Sequence, residues 1–324
     1  MENCGMETRN QMMSADKLKI HRYFRELLPL LGFVVIVVGF SLLTGGRITR
    51  PDNISLMLSQ VYVLLISSMG VFLVMTMGGL DFSQGSILGL SSIVFCWVSN
   101  YSIFLGVVAA VLAGALMGAF NGFFHVRFRI ASFIVTICTM YFFRGLCEYI
   151  TTTGPVPATV TAMSLDETSF KVLLTGITLL LGFVVWHFTR VGFDLRAIGA
   201  GETAARFSGS RPNLLKFLAF TVAGAVTGFA SFINVIKVGA ITGTAGTQLE
   251  TQILIALVLG GMPISGGAKA RFSNIIIGTL TYCVLEKSLP MVFPVSASQQ
   301  LVKGIMFLIV VAITIDHESL RVIK

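Results

Sequence analysis

Arg144 and Glu148 stand four residues apart within the apolar run 130–152, a spacing that places both on one face of a helix, where they can pair. A charge inside an apolar span is expensive unless it is paired or wet. The two side chains therefore either line a polar cavity or form a structural ion pair, and the nearby outer end at Thr151 leaves room for long side chains to reach the interface. Asp81, in Gly79-Leu-Asp81-Phe-Ser83-Gln-Gly85, either lines a polar gap or caps the next helix by accepting hydrogen bonds from the Ser83 and Gln84 backbone. Asn121 is an amide suited to bond across helices or to a hydroxylated solute. Together with Ser83 and Ser265, these residues are the candidate lining of a substrate pathway. Glu250, just before a short apolar run, suits a helix start.

Other chemistries find no residues to carry them. There is no H-E-x-x-H and no evident nucleophile, base and orienter set, so no catalytic residue is expected. No G-x-x-x-x-G-K-[ST] loop occurs, so the chain does not hydrolyse ATP by a phosphate loop of its own. His21, His125, His187 and His317 fall at the edges of apolar runs without ligand spacing, and no metal is expected. The five cysteines show no paired spacing and read as small buried residues.

The elements that must position these residues are membrane spans. Of 324 residues, 55% are hydrophobic and 12% charged, far below the soluble average of about 25% charged. The net charge of +8 is explained by basic residues marking the cytoplasmic side of a bilayer protein, not by nucleic acid. Cutting at charges and at Gly/Pro/Asn clusters leaves ten runs, near 28–46, 54–78, 82–99, 103–125, 130–152, 170–189, 214–236, 251–264, 273–289 and 299–316. The eighth is short for a crossing. Sixteen of 23 basic residues fall on segments assigned inward, six outward, and Arg144 alone within a span. That asymmetry predicts an all-α polytopic bundle of about ten spans with both termini cytoplasmic, resident in the cell membrane. The expected parts are an N-terminal tail (1–27), a permease domain (28–316) and a C-terminal tail (317–324). No short apolar core with a cleavage site precedes the first run, which itself serves as the insertion signal.

One inward loop, 190–216, is both long and strongly basic. Within it Glu202 to Phe207 predicts under two turns of helix, with Arg206 four residues after Glu202 and Gly209 placed for a left-handed stop. Pro212 opens the next helix. So short a helix is marginal alone, which points to a partner protein that it rests on. Elsewhere, Gly78-Gly79-Leu-Asp81-Phe-Ser83-Gln-Gly85 and Gly260-Gly261-Met-Pro263-Ile-Ser265-Gly266-Gly267 share Gly-Gly-x-x-x-Ser-x-Gly. This echo reads either as duplicated halves with broken helices beside a transport path or as two glycine-rich inward turns.

Several stretches resemble the permease subunit of the ribose-type sugar importers of the ATP-binding cassette class. They are Gly79 to Ser86, Asn121-Gly122, Phe133 to Thr136 running to Arg144-Gly145, Ala204-Ala205-Arg206-Phe-Ser208-Gly209, and Leu259-Gly260-Gly261 through Ser265-Gly266-Gly267. Where the family tends to have Asn in the basic loop this chain has Gly201; Ala268 and Lys269 follow the last Gly-Gly pair where a Gly is common; Ser132 replaces a frequent Pro. The resemblance implies a permease working as a pair, a separate ATPase bound inside that carries the ATP and Mg, and a solute-binding protein docking outside. It also implies that Gly201, Glu202, Ala204, Ala205, Arg206 and Gly209 form the ATPase-coupling element. The function expected is passage of a small neutral polar solute, a monosaccharide such as ribose or a related sugar, by alternating access. The alternative, an ion-coupled secondary transporter, needs midplane carboxylates of which the chain offers no convincing set.

Overall fold

The computed structural model describes residues 27–267 and 269–314. The two expected tails, apart from residue 27, lie outside the described residues. Within them the chain forms thirteen α-helices, one 3-10 turn at Arg47–Thr49 and a single two-stranded ribbon.

Six helices are long and apolar enough to cross a membrane: α2 (Pro51–Thr76), α4 (Ile103–Phe128), α5 (Ser132–Ile150), α7 (Thr168–Phe188), α10 (Pro212–Val238) and α12 (Ser273–Val292). Four shorter apolar helices, α1 (Leu27–Leu43), α3 (Gln84–Ser99), α11 (Leu249–Leu259) and α13 (Ser296–Thr314), fill the remaining runs. The ten runs read from the sequence thus each hold one apolar helix. Three short helices lie between them: α6 (Val160–Met163), α8 (Arg190–Ala200) and α9 (Glu202–Phe207). The ribbon pairs β1 (Val156–Pro157) with β2 (Ala240–Ile241), antiparallel, an addition to the all-helical expectation.

The central helix is α2. Every residue from Val61 to Met77 is buried, because this stretch is apolar all round and is packed by α10, α12, α11 and α7. Pro51 starts it, and Asp52 in its first turn complements the helix dipole. It ends in a Schellman cap: Gly78 takes φ +82°, its amide bonds Met75 O at 2.9 Å, and Gly79 N bonds Val74 O at 3.0 Å. Helix α11 ends the same way through Gly261 at φ +85°, with Gly261 N on Val258 O and Met262 N on Leu257 O. The echo noticed in the sequence is therefore a pair of glycine helix stops, one residue out of register with each other.

A long, close seam joins α4 to α10. A methyl at Gly114 would stand 2.2 Å from Gly224 O, one at Gly118 2.2 Å from Phe220 O, and one at Gly228 2.4 Å from Ala110 O. Small residues at four-residue spacing let the two backbones touch.

Candidate functional site

Helix α3 begins deep in the bundle. Its first residue, Gln84, accepts a hydrogen bond at 2.5 Å from Thr227, which lies near the middle of the 27-residue α10. The chain between α2 and α3 is irregular, and its backbone donors are met by side chains of α5: Leu80 N donates to Ser132 Oγ at 3.0 Å and Phe82 N to Thr136 Oγ1 at 3.1 Å. Such satisfaction is required where no water reaches.

Asp81 is fully buried at the centre of this break. Its Oδ1 accepts from Ser83 N at 2.9 Å and Ser83 Oγ at 2.6 Å, and its Oδ2 from Gln84 Nε2 at 2.6 Å. Asn121 Nδ2 donates to Ser83 Oγ at 2.7 Å. The Ser83 backbone contact is as expected, whereas Gln84 contributes its side-chain amide instead of its backbone. Asp81, Ser83, Gln84, Asn121 and Thr227 are all at 0% exposure, so they form a clasp between the break, α4 and α10. In this conformation it offers a solute no surface.

Arg144 does not pair with Glu148. Its Nη1 donates to Thr247 Oγ1 at 2.5 Å, and its Nη2 stands 3.8 Å from Glu250 Oε2 on α11. The reason is the course of the segment after β2. Residues 242–248 run alongside α3, with the Ala245 carbonyl against Gly89 and the Gly246 carbonyl against Gly85, so they deliver Thr247 and Glu250 to the arginine. Glu148 lies one turn further along α5, exposed beside Gly243, with no ion pair among the described residues. Gln248 opens α11 with φ +68°, an unusual conformation for a residue with a side chain. Thr242, Thr244, Thr247 and Gln248 are exposed. The starts of α3 and α11 therefore meet level with each other, with Arg144 and Glu250 between them.

The end of the bundle that carries α9 is built separately. Helix α9 spans Glu202–Phe207 as expected, and Gly209 follows at φ +88°. Glu202 binds Lys216 of α10 at 2.7 Å and Arg206 at 3.5 Å. The hydrogen bond from Lys216 holds the Glu202 carboxyl below its ordinary range. Ala205 is buried, whereas Ala204, Arg206 and Phe207 point away, Phe207 at 87% exposure. Gly201 precedes the helix in extended backbone at φ 171°. Before it, α8 is a helix where a loop was expected. The Arg196 guanidinium stacks 4.9 Å from the Trp186 ring and 4.7 Å from that of Phe193, and Trp186 packs edge-on to Phe72 of α2 at 4.6 Å.

Of the six pathway candidates, the structure joins Asp81, Ser83 and Asn121 in one network and sets Arg144 beside it across Gly85. Glu148 is exposed one turn away, and Ser265 sits apart, exposed on the turn before α12. Sequence reasoning missed Thr247 and the pairing role of Glu250. A second charge close to an apolar run was the available signal.

The alternation of whole spans with two helices that start mid-bundle, and a short exposed helix at one end, is the architecture of a membrane permease. The chain belongs to the family described as branched-chain amino acid transport system / permease component, which matches residues 53–311. It is thus a multi-pass permease subunit of an ATP-binding cassette importer in the cell membrane, a family that implies a separate ATPase and a solute-binding protein as partners. Membership sets aside the ion-coupled alternative. The chain is 31% identical to the ribose import permease protein RbsC of Bacillus subtilis, over 96% of this chain and 99% of that protein. It is 29% identical to the L-arabinose ABC transporter permease protein AraH of Azospirillum brasilense, over 86% and 84% of the two chains. It is 27% identical to the D-allose transport system permease protein AlsC of Escherichia coli, over 87% and 89%. No solved structure matches the chain.

Proposed function

We propose that the chain passes a monosaccharide along the face formed by α5 and residues 242–248, and that a second copy closes that face. The carrying observation is the segment 242–248 itself. It is irregular backbone whose Thr242, Thr244, Thr247 and Gln248 are exposed, and it reaches the level at which α3 begins. Irregular polar backbone at membrane depth is tolerated only where protein buries it or water bathes it, so this face belongs to a wet path or a protein interface and not to lipid. Hydroxyls, an amide and one balanced ion pair suit a neutral, hydroxylated solute better than an ion, which calls for a ring of one charge sign. The named relatives, permeases for two pentoses and a hexose, support the same solute class.

On this reading α9 seats in the ATPase, which alone carries ATP and Mg, and both termini lie on that side. Nucleotide binding there rocks the spans around the path. The test is uptake of labelled ribose, L-arabinose and D-allose into proteoliposomes holding the permease and its ATPase, with the binding protein outside. Uptake of at least one sugar that needs ATP and survives collapse of the proton gradient is expected. Failure of all three, or immediate arrest by the uncoupler, overturns the reading.

A further inference from the structure

We infer that the gap between Arg144 and Glu250 is a binding site for two neighbouring hydroxyls of the transported solute, an inference that rests on the permease reading above. Nη2 of Arg144 and Oε2 of Glu250 face each other at 3.8 Å, beyond hydrogen-bond reach. Both atoms are buried, neither has a hydrogen-bond partner, and Glu250 is only 8% exposed. Buried charged groups normally have their hydrogen bonds filled, and leaving them open is costly. Here a donor and an acceptor are left open side by side. One hydroxyl oxygen accepts from the guanidinium while the adjacent hydroxyl donates to the carboxylate, which is the arrangement a diol presents and an isolated ion does not.

The surroundings hold this gap in shape. Nη1 of the same guanidinium is committed to Thr247, which fixes the plane of the fork. Gly85 lies against the pair: a methyl there would stand 2.0 Å from Glu250 Oε2 and 3.2 Å from Arg144 Nη2, so the missing side chain is what lets the carboxylate sit beside the guanidinium. Glu250 also lies in the first turn of the eleven-residue α11, whose dipole favours the charged carboxylate. The contrast with Asp81 is informative, since that carboxylate has both oxygens satisfied and so has nothing left to offer. In this conformation both atoms are closed to solvent, so a solute reaches them only when the exposed segment that carries Thr244 and Thr247 shifts.

The test uses the same proteoliposomes with labelled ribose, L-arabinose and D-allose as probes, and reads uptake, ATP hydrolysis and melting temperature together. Glu250→Gln keeps the shape and removes the charge, and Arg144→Lys removes the fork. Each is expected to lower uptake by about tenfold or more while hydrolysis and melting stay near the wild type, and Thr247→Val is expected to lower uptake by only a few fold. Uptake by Glu250→Gln within about twofold of the wild type overturns the site. A parallel fall of uptake, hydrolysis and melting temperature in both charge variants also overturns it, by assigning the pair to holding the fold. A wild-type complex that carries none of the sugars fails the permease reading itself, a result distinguishable from either.

Discussion

The amide of Gly267 donates to the carbonyl of Thr76 at 2.8 Å, which ties the end of the central helix to the turn before α12. Gly199 near the end of α8 completes the junction, since a methyl there would stand 2.0 Å from Thr76 O and 2.6 Å from Gly267 N. Movement of α9, which follows α8 after Gly201 alone, thus reaches two spans through backbone contacts. Loops that transmit force need such stiff connections.

This junction predicts the effect of bulk at Gly199. Gly199→Ala forces the three strands of backbone apart and is expected to destabilise the protein by about 1–3 kcal/mol. Gly176→Ala on α7, where nothing lies within 4 Å, is expected to be neutral or slightly stabilising. Thermal melting of the two variants in detergent checks the contrast.

Phe207 is 87% exposed on a six-residue helix that needs something to rest on. Phe207→Ala is expected to weaken ATPase binding by about 2 kcal/mol, roughly thirtyfold, while leaving the melting temperature of the isolated permease unchanged. Pull-down of the ATPase at graded concentrations gives the affinity, and unchanged binding removes Phe207 from the interface.

The tie between Glu202 and Lys216 carries a pH signature. Lys216 stabilises the carboxylate, Arg206 adds to it, and partial burial opposes both, leaving the carboxyl below its ordinary range in the folded protein. The stabilisation is thus complete above the unfolded glutamate value of about 4.3 and is lost only as pH falls through the lower folded value. With the Glu202 side chain 40% exposed, the tie contributes no more than about 1 kcal/mol. A spin label on Ser208→Cys should show constant mobility from pH 8 to about 5 and greater mobility in stronger acid. Adding Lys216→Met should raise the mobility throughout.

The clasp at the α2–α3 break predicts graded losses. Asp81→Ala abandons three buried donors and is expected to cost about 3 kcal/mol or more. Thr227→Val leaves one Gln84 lone pair unmet, for about 1–3 kcal/mol. Thermal melting ranks them, and equal small effects would remove the clasp as a stabilising unit.

The spans were legible because apolar runs and the charges between them are local properties of the chain. Helix α9 was legible for the same reason, since Glu202, Arg206, Gly209 and Pro212 are capping, pairing and stop signals within one short stretch. Helix α8 was not, because what secures it is Arg196 stacked on Trp186 in the preceding span. Arg144 shows the limit of the four-residue rule: the rule found Glu148 on the same helix, whereas the true neighbour, Glu250, arrives from a distant segment. Nothing in the threonines and glycines of 242–248 tells that they turn inward along α3. The small residues Ala110, Gly114, Gly118 and Gly122 recur at four-residue spacing on α4, but which helix they meet could not be read from the chain, because α10 arrives from about a hundred residues away.

That seam also decides what is free to move. With carbonyl oxygens of α10 lodged where α4 has no side chains, sliding one helix past the other would drive backbone into backbone, so the two travel as one keel. Whatever opens and shuts during a transport cycle must then do so between this pair and the other spans, not along the seam within it.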